Sequence, residues 1–189
     1  MSEPVGLGGP DALARLRELM CDAGGLMASL VDEDAGDGRH SAEGHTPSPA
    51  SVAASGPRAA AKRDEYELLV EAIYEGYLLH YGAPRVLVSR EANLSLLAGD
   101  QLYAIGLARL VALGDTFAVA ELADTITLSA LAQGTRNDDL ADAVWAAGAR
   151  AVGWGPSEIH RRAKQLVFAG DPRAFEAMRT SAEAQPASP

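Results

Sequence analysis

One stretch, LSLLAGDQLYAIGLARLVALGD from Leu94 to Asp115, restricts the fold of this chain more than any other. Leu94, Leu97, Ala98, Ile105, Ala108 and Val111 recur at helical spacing, and Leu96, Leu102, Leu107 and Leu110 widen the apolar stripe. Gly114 stands where a C-terminal cap belongs. A helix that is apolar around most of its circumference needs neighbours on several sides, so this reading places it as the central rod of an all-α core.

The remaining elements are read outward from that rod. Pro10 and Asp11 start a helix that runs to about Val31, with Leu13, Leu16, Leu19 and Met20 on one face and Gly24-Gly25 as a point of interruption. Residues 32–63 are rich in Gly, Ser, Pro, Ala and charge and hold almost no large apolar side chain, which predicts a disordered linker. Helical pattern resumes at Asp64 and continues to Tyr81, where Gly82-Ala83-Pro84 ends it. VLV at 86–88 is too short for a sheet. Asp115 or Thr116 caps the next helix, which Gly134 closes, and Asn137 caps the one that follows. Two shorter helices, Ser157 to Ala169 and Pro172 to Arg179, complete six or seven in all. The expected organisation is an N-terminal helical segment at 1–31, a linker at 32–63, a helical core domain at 64–180 and a disordered tail at 181–189. Short loops after Pro84 predict an antiparallel helical bundle.

Charge and composition exclude several functions. With 26 acidic against 16 basic residues the net charge is −10, which disfavours non-specific nucleic-acid binding, since neutralising phosphates needs a basic face. The single cysteine, Cys21, rules out an intramolecular disulfide framework or a multi-cysteine metal site. No run reads as a membrane span and the first residues do not read as a signal peptide, so the expectation is a cytoplasmic protein. GLGG at 6–9 follows no strand and is read as a leader, not as a phosphate loop, and His40 and His45 stand in the linker without the neighbours a metal site needs.

The candidate chemistry lies in acidic residues. Glu67, Glu71 and Glu75 repeat every four residues along one helix; this spacing suits joint cation binding, but it equally describes a solvated acidic face, the preferred reading. Asp138, Asp139 and Asp142 form a DDxxD string, and their place in a first helical turn is explained by the helix dipole and its free amides without a metal. Asp100 is expected to face packed surroundings and to need a partner, such as Arg85, Arg90 or Arg150. Gly99 and Gly106, seven apart, read as points of close helix approach.

The segment LLAGDQLYAIGLARLVALGD followed by FAVAELADTITLSALAQG resembles the middle of the trans-isoprenyl diphosphate synthases, the polyprenyl synthetase family, with Leu97, Ala98, Gly99, Asp100, Ala104, Leu110, Gly114 and Gln133 carrying the match. The resemblance implies the central part of the isoprenoid synthase fold. In that family the preceding helix ends in a histidine followed by a DDxxD motif that binds magnesium and the allylic diphosphate. Aligning His80 with that histidine puts Tyr81, Gly82 and Arg85 where the aspartates belong, and these offer no hard anionic oxygens for Mg2+. The chain therefore resembles the small, non-catalytic subunits of heteromeric prenyl diphosphate synthases. The implied function is that of a pseudoenzyme-like accessory subunit in isoprenoid biosynthesis, associating with itself or with a catalytic prenyl synthase, and its apolar faces could also take an isoprenoid. The alternatives are a Mg2+-dependent prenyltransferase or diphosphate-processing enzyme drawing on Glu67, Glu71 and Glu75 with Asp138, Asp139 and Asp142, with His80 and Asp100 as further candidates beside Glu71 and Glu75, and a stand-alone helical homodimer that holds an apolar ligand or only scaffolds. The main reading calls for no cofactor.

Overall fold

A computed structural model describes residues 10–32, 47–155 and 157–184, and among these the chain is all-helical. His40, His45, the GLGG stretch and residues 185–189 lie outside the described residues. The nine described helices are α1 (Pro10–Ala23), α2 (Gly25–Ser29), α3 (Pro49–Ser55), α4 (Arg63–Tyr81), α5 (Ala92–Ala112), α6 (Thr116–Gly134), α7 (Asp138–Trp154), α8 (Glu158–Phe168) and α9 (Ala174–Glu183). Gly24, at φ 68°, separates α1 from α2.

Side-chain caps mark the starts of four helices, α3, α6, α7 and α8. The Asp115 carboxylate accepts the Ala118 amide at 3.0 Å to start α6, and the Asn137 side chain accepts the Leu140 amide at 3.0 Å to start α7. Ser157 caps α8 in the same way through the His160 amide at 3.0 Å. Residues 86–88 form no sheet. They do make a single antiparallel bridge to the N-terminal segment, with the Asp32 amide donating to the Val86 carbonyl at 3.0 Å and the Val88 amide to the Leu30 carbonyl at 2.8 Å.

The centre of the molecule is not the helix expected there. α4 and α7 are buried on most of their faces, whereas α5 buries only Ala98, Gly99, Leu102, Gly106 and Leu110 and leaves Leu96, Leu97 and Val111 exposed. For α7 the reason is residue size. α7 presents Ala141, Ala143, Ala147, Gly148, Ala149, Ala151 and Gly153, small enough to admit neighbours all round. A Cβ on Gly148 would fall 2.1 Å from Thr125 Oγ1 of α6, and one on Gly153 would fall 2.6 Å from the Ala53 carbonyl of α3. α5, richer in leucine, packs mainly on α4.

The stretch expected as linker also contains structure. Ser48 accepts the Ser51 amide at 3.1 Å, Pro49 opens α3, and Ala50, Ala53 and Ala54 are buried between α4 and α7. Alanine contributes little area per residue, which made the segment look unable to fold. Close approach compensates: a Cβ on Gly56 would meet the Gly153 carbonyl at 2.2 Å.

Two apolar clusters result. The larger joins α3, α4, α5, α6, α7, α8 and α9 around Trp145, Leu69, Ile73, Leu122 and Met178; the smaller packs Leu16, Met20 and Met27 onto Ala72, Leu79, Val86, Leu87, Ala98 and Leu102.

Candidate functional site

The seam between α4 and α5 gathers most of the residues singled out in the sequence. Gly99 and Gly106 set its width: a Cβ on Gly99 would stand 2.5 Å from the His80 ring, and one on Gly106 would stand 2.4 Å from Ile73 Cγ1. Both glycines thus serve the close approach that their spacing predicts. At the open end of the seam, His80 stacks on Tyr103, with ring centroids 5.4 Å apart. His80 Nε2 lies 3.3 Å from Asp100 Oδ1 but is not aligned with it for a hydrogen bond. The Asp100 side chain is 69% exposed, so the expectation of packed surroundings is corrected. Asp100 falls on the outer side of a helix whose inner side is taken by Ala98, Gly99 and Leu102.

The three glutamates of α4 also depart from expectation. They form no solvated face: Glu67, Glu71 and Glu75 are buried, Glu75 completely. The Glu75 carboxylate accepts the backbone amides of Arg85, Val86 and Leu87 at 2.6, 2.7 and 3.3 Å, and Arg85 bridges Glu71 and Glu75 with its guanidinium. Arg85 also lies 5.2 Å from the centre of the Tyr74 ring. Burial pushes the Glu71 carboxyl above the usual range, with Arg85 opposing and Glu75 and Glu67 adding to the rise. These carboxylates shape the turn between α4 and α5, and the bonds they make there leave Glu75 few lone pairs for a cation.

Asp138, Asp139 and Asp142 lie exposed at the start of α7. Partial burial and the two neighbouring aspartates raise the Asp142 carboxyl. Among the described residues, no three His, Cys, Asp or Glu side chains come together as a set that could hold a metal ion.

A second polar cluster was not anticipated. Glu121 of α6, His160 and Lys164 of α8 and Ser181 of α9 meet beneath the surface, with His160 Nε2 2.6 Å from Glu121 Oε1 and His160 Nδ1 2.9 Å from Ser181 Oγ. Lys164 Nζ donates to Glu121 Oε2 at 2.9 Å and to Asp124 Oδ2 at 2.8 Å. Burial raises the Glu121 carboxyl, but the bonds and charges of His160 and Lys164 outweigh it and hold the group below its ordinary value. The available signal was Glu121 standing in line with Leu122, Thr125 and Leu128 on the apolar stripe of α6, where a carboxylate demands a partner. Serine, histidine and glutamate in series also describe a nucleophile relay, but Ser181 is only 4% exposed, out of reach of a substrate, so the cluster fastens α8 and α9 to α6.

α5 is also the helix, among the described residues, long and apolar enough by length and composition to cross a membrane, and 28% of its most apolar stretch is buried. No family model matches the chain, and neither a curated protein nor a solved structure matches it.

Proposed function

We propose that the chain is a non-catalytic helical subunit that works by presenting the outer face of α5 to another protein. The observation that carries this reading is the exposure of Leu96, Leu97 and Val111 on a helix whose opposite side is locked by glycines onto α4. The LAGD resemblance suggests the partner, a catalytic prenyl synthase whose activity or product length the subunit adjusts. Supporting it, Glu71 and Glu75 are committed to Arg85 and the backbone of the following turn, and Asp138, Asp139 and Asp142 stand on a different helix.

The test is incubation with isopentenyl and allylic diphosphates and Mg2+, alone and together with a full-length polyprenyl synthetase. The expected result is no product from the chain alone and an altered rate or product length in the mixture. Product from the chain alone overturns the non-catalytic reading; a synthetase indifferent to the chain overturns the accessory role.

A further inference from the structure

Two buried carboxylates share one guanidinium beneath the turn between α4 and α5. Glu71 is 2% exposed and Glu75 is completely buried, and among the described residues Arg85 is the one cation paired with them. Keeping both acids ionised is costly, because like charges held close together out of water favour the uptake of a proton by one of them. The bonding decides which. Glu75 accepts the amides of Arg85, Val86 and Leu87 and the Arg85 Nε–H, four donors that all favour its ionised form. Glu71 accepts from Arg85 Nη2, so the proton of the pair rests on Glu71.

The surroundings of Glu71 agree. Burial disfavours its ionised form most strongly, Arg85 favours that form from the turn, and Glu75 and Glu67 oppose it from the same helix. The Tyr74 phenol, on which Arg85 and Asp142 of α7 also act, completes the ionisable neighbours. α3 packs against the same helix without an ionisable side chain. α1 sends Arg15 to the Asp64 carbonyl at one end of α4, and α5 sets Asp100 near His80 at the other.

The pair holds more than a turn. Val86 donates its amide to Glu75 at 2.7 Å, and its carbonyl accepts the Asp32 amide at 3.0 Å. One residue is thus clamped by the carboxylates on one side and by the N-terminal segment on the other. Its neighbour Leu87 makes the antiparallel bridge to Val31, and both Val86 and Leu87 are fully buried in the smaller apolar cluster.

We infer that Glu71, Glu75 and Arg85 form a proton-operated strap. With the proton on Glu71 the site is neutral and residues 85–87 are held on both sides; release of that proton to solvent leaves a buried negative charge that loosens these residues and their bridge to Val31. The device does not depend on what α5 binds.

The test is amide exchange of Val86 and Leu87 in the full chain from about pH 5 to about pH 9, corrected for the intrinsic pH dependence of exchange. A carboxyl raised by the fold contributes fully below 4.5, and its contribution is lost as pH rises through the folded value. Protection is therefore expected to fall with rising pH, approaching about tenfold per pH unit beyond that value. Glu71→Gln keeps the size of the side chain and carries no charge, so its amides are expected to stay protected across the range, with circular dichroism confirming the fold. The carboxyl carbon resonance of Glu71 in the wild type is expected to titrate above 4.5, a readout that needs no variant. Wild-type protection that does not change with pH, a folded Glu71→Gln protein that loses protection in parallel with the wild type, or a Glu71 carboxyl that titrates at or below 4.5 each overturns the proposal.

Discussion

At the scale of single residues, glycine decides where helices can touch. Gly106 and Gly134 lie in neighbouring helices yet differ in kind: a Cβ at 106 would strike Ile73 and crowd the Leu69 carbonyl, whereas at 134 it would meet open space. Gly106→Ala is expected to lower stability by about 1–3 kcal/mol through overpacking. Gly134→Ala is expected to raise it by about 0.4–1 kcal/mol, because alanine has less freedom to lose on folding. Urea denaturation of the two variants checks both, and equal shifts would contradict the packing described for the α4–α5 seam. The sequence made Gly106 legible, since a glycine inside a helix requires a reason. It did not make Glu75 legible, because a carboxylate every fourth residue looks the same whether it faces water or the backbone amides of a turn folded back onto it.

At the scale of elements, titration reports how helices are held. Glu121 has a folded pKa below its ordinary 4.5, so its contribution is complete above that value and disappears as pH falls through the folded one. Lys164 works at the other end: burial lowers its pKa, Asp124 and Glu121 more than restore it, and its contribution is complete below 10.5. Acid is therefore expected to loosen α8 from α6, and His160→Gln to weaken this acid dependence, as followed by amide exchange of residues 158–168 between pH 6 and pH 3. Tyr66, at the junction of α4 with the start of α6, carries a separate alkaline signal. Burial and its hydrogen bond to Asp115 push the phenol to about 12 from 10.0. A group with a raised pKa contributes fully below its unfolded value, so stability is expected to decline between pH 10.0 and about 12. Tyr66→Phe should flatten that decline, and a thermal-melting series across this range that looked the same in both proteins would refute it.

At the scale of the whole molecule, α4 belongs to both apolar clusters. It lends Ala72 and Leu79 to the smaller and Leu69, Ile73 and Tyr77 to the larger. The N-terminal segment, joined through Leu16, Met20 and Met27, is therefore expected to unfold together with the rest. Leu16→Ala should cost about 2–5 kcal/mol, and the far-ultraviolet circular dichroism and tryptophan fluorescence transitions should remain coincident. Two separated transitions would show the α1–α2 segment to be an independent unit.

The sequence by itself determined the helices from α4 onward and several of their caps, because capping and periodicity depend on residues within a few positions of one another. It also determined that Gly99 and Gly106 lie at a close approach. Only the tertiary structure decided which helix is central, since that depends on how near its neighbours can come, and the small residues of α7 admit them where the leucines of α5 do not. It likewise decided that 49–55 folds, that Glu71 and Glu75 hold a turn, and that Glu121, His160 and Ser181 meet. Each of these depends on groups from separate parts of the chain arriving at one place, and no local pattern encodes that arrival.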